Sequence, residues 1–185
     1  MIKDLFRETE MNMRKAVDAL ESDLRAIRTG RASPALLEKV TVDYYGTPTA
    51  LQQLAVISAP EPQLLTVRPY DPGSLADIER GILKSDLGLT PSNDGRIVRV
   101  PIPRLTEERR QEMAKMVRQR VEEGKVALRN VRRDALDDLR DFQDEKLISE
   151  DEFYKAKDDL QDLIDRHTKE MEEISERKQN EILEG

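Results

Sequence analysis

The feature that most constrains the fold is a long amphipathic stretch from Thr106 to about Lys146. Its apolar residues recur at intervals of three and four, which places them on one face of an α-helix. They are Met113, Val117, Val121, Leu128, Val131, Ala135, Leu139 and Phe142. At about 1.5 Å per residue, a helix of roughly 40 residues is about 60 Å long. Its apolar face needs partner helices to cover it.

Two further stretches have the same pattern. One runs from Ile2 to Thr29 and ends at Gly30, a typical stop signal. The other begins at Ser149, where SEDE forms a capping box with Glu152 at the third helical position. Only the segment LIS separates the second and third helices, which predicts an antiparallel hairpin. We therefore expect an antiparallel three-helix bundle.

Residues 31–103 have a different character. Runs rich in β-branched residues, bounded by Gly, Pro, Asn and Asp, predict strands at TVDYY, QLAVIS, LLTVRPY and RIVRVPI. GTPT and PSNDG are typical of turns. SLADIERGILKSD predicts one short helix, capped by Ser74, with one apolar face made of Leu75, Ile78, Ile82 and Leu83.

The predicted fold class is α+β, with two modules. Residues 1–30 and 104–185 form the elongated bundle, and 31–103 form a small inserted β/α/β module. The chain crosses between them at TGRASP and PIPRLT. The glycine and prolines there favour hinges near 30–33 and 101–105, whose residues are Gly30, Arg31, Pro103, Arg104 and Leu105. A rigid corner is the alternative that the sequence leaves open.

The composition excludes several kinds of site. The chain has no Cys and one His, which excludes disulfides and thiolate ligands and argues against a histidine metal cluster. No residues assemble a nucleophile with a base, and no phosphate-binding glycine loop is present, so we expect no enzyme, no metal and no cofactor. His167 is expected to be a packed structural residue. No apolar run predicts a membrane span. We expect a monomeric cytoplasmic protein.

The charges are segregated along the chain. The formal net charge is −7, but residues 104–133 carry ten basic and five acidic side chains, whereas 134–185 carry eight basic and 19 acidic ones. A basic block can be the footprint of a polyanion. It can equally be a helix face that pairs internally with an acidic segment. Charge alone leaves both interpretations open.

A helical wheel favours the polyanion. Five cations of the second helix lie in one sector beside its apolar stripe, and most of the acids lie on the opposite flank. They are Arg118, Lys125, Arg129, Arg132 and Arg133. A linear cationic stripe suits a phosphate backbone, because guanidinium groups bind phosphate oxygens in pairs. Aromatic residues are sparse on these helices, so structured or duplex RNA fits better than stacked single-stranded bases.

Five motifs resemble those of the bacterial ribosome recycling factor family. They are RTGRASPALL (28–37), YYGTPT (44–49), SDLGLTP (85–91), LTEERR (105–110) and RNVRRD (129–134). The match covers essentially the whole chain in order. The resemblance implies an L-shaped three-helix bundle and β/α/β module. It also implies that the protein splits the post-termination ribosome together with the GTPase elongation factor G, releasing mRNA and deacylated tRNA.

The resemblance also implies which residues bind large-subunit ribosomal RNA. The RNVRRD arginines are Arg129, Arg132 and Arg133, and Lys125, Arg118 and Arg28 lie at matching positions nearby. Three departures stand out. Ala50 replaces a usual proline after YYGTPT, Arg104 occupies a position where proline is frequent, and Leu136–Asp138 follow where polar and basic residues are common. A coiled-coil adaptor that does not depend on RNA remains the alternative hypothesis.

Overall fold

A computed structural model describes residues 1–184 of the chain. Five helices and six strands follow one another along it. They are α1 (Ile2–Arg25), β1 (Thr41–Tyr44), β2 (Thr47–Ala50), α2 (Leu51–Leu54), β3 (Ala55–Glu61), β4 (Leu64–Pro69), α3 (Leu75–Lys84), β5 (Ser92–Asn93), β6 (Val98–Pro101), α4 (Glu107–Asp144) and α5 (Glu150–Glu184). Short 3₁₀ turns cover Pro34–Leu37 and Pro72–Ser74. The structure confirms the predicted fold class, α+β with a helical bundle and an inserted module.

The chain divides into two compact units. One contains Met1–Leu24 and Ala114–Glu181, and the other contains Arg25–Met113 together with the last residues from Ile182. The first unit holds most of the three long helices, and the second holds the sheets and α3.

The bundle is a parallel pair, α1 and α5, with α4 antiparallel to both. Lys125 pairs with Glu172 and Arg118 with Gln179, so α4 and α5 run in opposite directions. Arg14 forms a bidentate bond to Glu170, with both N–O distances 2.7 Å. That hydrogen bond raises the pKa of Arg14 and lowers the pKa of Glu170.

The apolar stripes meet at the centre of the bundle. A side chain added at Gly124 on α4 would lie 3.2 Å from the sulfur of Met171 on α5 and 3.6 Å from Leu20 on α1. Leu128 and Leu139 of α4 are fully buried. Truncating such a leucine to alanine typically costs about 2–5 kcal/mol, so this packing stabilises the bundle strongly.

The two predicted helix starts hold, whereas the two predicted ends lie a few residues too late in the chain. The Thr106 hydroxyl accepts the Arg109 amide at 3.2 Å, as expected of a cap. Ser149 and Glu152 exchange the two bonds of the capping box, at 3.1 and 3.3 Å. Helix α4 ends at Asp144, two residues before the predicted Lys146, which has a left-handed conformation. Helix α1, predicted to reach Thr29, ends at Arg25.

The second unit is built on a four-stranded antiparallel sheet with strand order β3-β4-β6-β5. Leu65 pairs with Val100 and Val67 with Val98, and all four side chains are fully buried. Helix α3 packs on β1, because a side chain at Gly81 would meet Val42 at 3.1 Å. The core of this unit therefore lies between the sheet, α3 and the β1–β2 hairpin.

Three local predictions were wrong. GTPT (46–49) was expected as a turn, but its last three residues belong to strand β2, paired with β1, and the turn lies at Tyr45 and Gly46. Leu83, expected on the apolar face of α3, is 60% exposed. Ser74 occupies the cap position of α3, but its hydroxyl donates to the Asp71 carbonyl and does not cap the helix.

Among residues 1–184, no helix is long and apolar enough to cross a bilayer.

Candidate nucleic-acid interface

Arg129 and Arg132 lie one turn apart on α4. Arg129 is exposed and Arg132 is half-buried. Within the described part of the chain, neither forms a salt bridge to a carboxylate. Both side chains therefore carry charge that the protein leaves uncompensated at close range.

The sequence explains why these two arginines lack partners. On a helix, an arginine pairs most readily with an acid three or four residues away. For Arg129 those positions hold Lys125, Val126, Arg132 and Arg133, and for Arg132 they hold Leu128, Arg129, Ala135 and Leu136. None of these residues is acidic. Other arginines of α4 have such a partner, for example Arg109 with Glu112 at 2.6 Å and Arg120 with Glu123 at 3.6 Å.

The other predicted cations of α4 are engaged. Lys125 lies between two carboxylates, 3.1 Å from Glu172 and 3.6 Å from Glu122. Arg118 donates to the Gln179 side chain at 3.1 Å and keeps its positive charge unpaired. Among the predicted cations, Lys125 is thus paired with two carboxylates, whereas Arg118 has no ion pair in the described chain.

Arg133, the last of the five, is mostly exposed. Its Nε lies 3.8 Å from Asp134, and the two side chains of this pair are 67% and 74% exposed to solvent. Exposed pairs of this kind contribute little, typically about 0–1 kcal/mol. Arg133 therefore remains available to an external anion.

Helix α5 forms the other side of this surface. The pairs Arg118–Gln179 and Lys125–Glu172 show that a step forward along α4 matches an equal step back along α5. Continuing that register places Thr168 opposite Arg129 and Asp165 opposite Arg132. Thr168 is neutral, and Asp165 accepts a bond from Gln161 on its own helix at 2.9 Å. Glu172 therefore pairs with Lys125 at one end of the surface, whereas within the described residues no acid of α5 forms a salt bridge to Arg129 or Arg132.

Arg28 belongs to the second unit and lies just beyond the end of α1, where it is half-buried. Within residues 1–184 it forms no salt bridge. Its role in RNA binding stays a prediction.

The predicted hinge residues all lie in the second unit. Gly30 has φ +81°, and a side chain there would come within 3.3 Å of the Leu105 amide nitrogen. The Gln63 side chain donates to the Gly30 carbonyl at 2.7 Å and accepts from Arg104 Nε at 3.3 Å. Arg31 and Pro103 are exposed. Within the second unit, the segments 30–33 and 101–105 are therefore joined through Gln63.

The remaining candidates have structural explanations. His167 is buried, and its Nδ1 lies 2.9 Å from the Leu163 carbonyl, as expected of a packed histidine. A shallow groove between α1 and α5 has Phe6 and Leu163 in its lining, with Asp159 and Arg166 among the charged groups. Across residues 1–184, no group of three or more His, Asp or Glu side chains is placed to hold a metal ion.

Comparisons with known proteins agree on one family. The ribosome recycling factor family profile matches residues 20–183. The ribosome-recycling factor of Heliobacterium modesticaldum is 53% identical over 184 residues and covers all of both chains. That of Carboxydothermus hydrogenoformans is 51% identical and covers 99% of each chain.

Solved structures agree with the sequence relatives. A solution structure of the ribosome recycling factor matches with TM-score 0.80 and 37% identity, over all of this chain and 98% of the other. A second structure describes the T. thermophilus ribosome recycling factor and E. coli elongation factor G bound to the E. coli post-termination complex. It matches with TM-score 0.70 and 44% identity over 99% of each chain. Sequence, fold and length all agree, and the chain belongs to the ribosome recycling factor family.

Proposed function

We propose that this protein binds the post-termination ribosome in the cytoplasm as a monomer and, with elongation factor G, separates the subunits. In this proposal mRNA and deacylated tRNA are released as the subunits part. Family membership supports the ribosome as the target, and the relative described with elongation factor G supports that partner. The GTP is hydrolysed by the partner, and this chain contributes binding and movement.

We assign the contact with large-subunit ribosomal RNA to the surface centred on Arg129 and Arg132. The observation that carries this assignment is that Arg129 and Arg132 form no salt bridge within the described chain and have no acid three or four residues away. Arg109, Arg120 and Arg140 of the same helix are paired with acids at that spacing. An uncompensated arginine retains its charge for a phosphate, whereas a paired one must first break its ion pair. Arg133 and Arg118 add charge along the same helix, Lys125 contributes least, and Arg28 in the second unit stays a separate prediction.

The two crossing segments, 30–33 and 101–105, serve in this proposal as a coupled hinge. The bond network through Gln63 supports coupling, because it joins Gly30 on one segment to Arg104 on the other. The bundle can then hold RNA while the inserted module moves.

The RNA contact is tested by binding to isolated large subunits over a salt series. Arg132→Ala and Arg129→Ala should each weaken binding by about ten- to a hundredfold, since a hydrogen bond to a charged group contributes roughly 1.5–3 kcal/mol. Each lost phosphate contact should flatten the slope of log K against log salt by roughly 0.7–0.9.

Arg120→Ala is the matched control, because it removes an exposed arginine of the same helix that is paired with Glu123. It should change binding little. Thermal melts should show all three variants folded, since none of these side chains lies in the core. Wild-type affinity and salt slope in both Arg132→Ala and Arg129→Ala would refute the RNA contact and favour the adaptor hypothesis.

A further inference from the structure

The tip of the β1–β2 hairpin has an unusual residue in a strained position. Tyr45 has φ +51° and Gly46 has φ +83°, so the two form a turn with both central residues left-handed. Such turns favour Asn, Asp or Gly at the first position, because a Cβ is unfavourable in this conformation. A tyrosine at this position requires an explanation other than turn formation.

The surrounding residues hold Tyr45 in place without burying it. The residue is 80% exposed to solvent. Its hydroxyl donates to Asp71 at 3.4 Å, and the Tyr44 hydroxyl donates to the same carboxylate oxygen at 3.1 Å. The two rings meet edge to face, with centroids 4.5 Å apart. Tyr44 already packs against the core of the unit, so Tyr45 adds a fixed aromatic surface that faces solvent.

The charges around this surface disfavour RNA. From Val40 to Val67 the chain contains no Lys or Arg, although Asp43 and Glu61 lie in that range. Asp71 is held ionised, because bonds from the Gly73 amide and the Tyr44 hydroxyl lower its pKa. A phosphate brought to the ring of Tyr45 would meet the carboxylate of Asp71. A Lys or Arg side chain would meet the negative face of the ring beside that carboxylate.

We propose that Tyr45, together with Tyr44 and Asp71, is a docking point for a Lys- or Arg-bearing segment of a protein partner met on the ribosome. The cation stacks on the exposed face of Tyr45, and Asp71 balances its charge. The strain at Tyr45 then serves recognition. The proposal rests on ribosome binding and is independent of the arginines of α4.

One test separates recognition from folding. Tyr45→Asn places a favoured residue in the turn, so the melting temperature should stay the same or rise. The concentration of protein needed for half-maximal subunit splitting with elongation factor G should rise about three- to thirtyfold, the range expected for loss of a cation–π contact. Tyr45→Phe keeps the ring and should lose less. Tyr154→Gln, at an exposed tyrosine on α5, is the control and should split subunits normally.

The partner is identified by replacing Tyr45 with the photoreactive residue p-benzoylphenylalanine and irradiating complexes with purified ribosomes and elongation factor G. We expect a crosslink to a Lys- or Arg-rich segment of a protein. Crosslinks to ribosomal RNA, no crosslink in complexes that co-sediment, or normal splitting by Tyr45→Asn would each overturn the inference. Failure of the wild-type protein to co-sediment with ribosomes would instead overturn the proposed function.

Discussion

Lys125 and Arg129 lie one turn apart on the same sector of α4, yet only one of them is free to bind an external anion. Lys125 has two carboxylates within 3.6 Å, one of them Glu172 from α5, and Arg129 has none in the described chain. The helical wheel treats the two residues as equivalent, because it contains no information about the neighbouring helix. The isolation of Arg129 is visible in the sequence, since no acid lies three or four residues away, but the pairing of Lys125 with Glu172 is not.

This difference predicts that a single acid limits the RNA contact at one end. Glu172→Gln should leave Lys125 with only Glu122 at 3.6 Å and so make its charge available. Binding to large subunits should tighten by about two- to tenfold, and the salt slope should steepen by up to roughly 0.7–0.9. Binding titrations at several salt concentrations would measure both effects.

The control is Glu173→Gln, which removes the same charge from the adjacent exposed residue of α5. It changes the net charge of the protein equally but frees no cation. Equal tightening in both variants would mean that only the overall field changed, and Glu172 would then have no specific role.

At the scale of elements, the long helices were predictable and the short strands were only partly so. Each long helix repeats its apolar spacing over many turns, so isolated exceptions do not obscure the pattern. Strand β2 has four residues, TPTA, with Pro48 among them, and its composition is that of a turn. What fixes it as a strand is pairing with β1, for example Val42 with Thr49, and pairing between segments is not a local property.

The capping box at the start of α5 was predicted from the sequence, and its contribution to the free energy of unfolding can be measured. Ser149→Ala should remove the bond to the Glu152 amide and lower the free energy of unfolding by about 1 kcal/mol. Ser149→Asp should retain most of the stability, because aspartate also caps helices. Urea unfolding of both variants would measure these changes in the free energy of unfolding. Equal losses in Ser149→Ala and Ser149→Asp would show that a capping oxygen at position 149 does not stabilise the helix.

The turn between β5 and β6 should make stability depend on pH. Asp94 accepts bonds from the Ile97 amide, the Arg99 side chain and the Arg96 amide, and these hold its pKa well below the usual range. Because the pKa of Asp94 is lower in the folded protein than in the unfolded chain, its carboxylate stabilises the fold at pH values above the unfolded-state pKa of about 3.9. That stabilisation is lost as the pH falls from there towards the folded-state pKa. Asp94→Asn should therefore be less stable than wild type at pH 7, and the gap should narrow below about pH 4.

Urea unfolding at pH 7 and in steps down to pH 2 would follow that gap. Asp86→Asn, at an exposed aspartate on the same unit, serves as the control and should show a smaller difference at every pH. A gap between Asp94→Asn and wild type that is constant across the whole pH range would contradict the role of the carboxylate charge.

At the scale of the whole molecule, the order of the modules follows from the sequence, but the link between the two crossing segments does not. The change from long apolar stripes to short β-branched runs marks the insertion clearly. Gln63, in the turn between β3 and β4, is distant in sequence from both Gly30 and Arg104, and nothing in the local pattern predicts that it bonds to both. The backbone adds two further bonds, from the Ala32 amide to the Pro62 carbonyl and from the Ile102 amide to the Gln63 carbonyl.

Gln63→Ala tests whether this link transmits movement between the segments. It removes both side-chain bonds and keeps the two backbone bonds, so the protein should fold with a loss of about 1–2 kcal/mol. Amide hydrogen exchange should quicken at residues 30–33 and 101–105. Binding to isolated large subunits should remain at the wild-type level, because the arginines of α4 are untouched, while subunit splitting with elongation factor G should slow several-fold. Gln53→Ala, at an exposed glutamine of the same unit, should leave all three measurements unchanged. If exchange quickens in Gln63→Ala and splitting proceeds at the wild-type rate, the link through Gln63 stabilises the module without coupling the crossing segments in function.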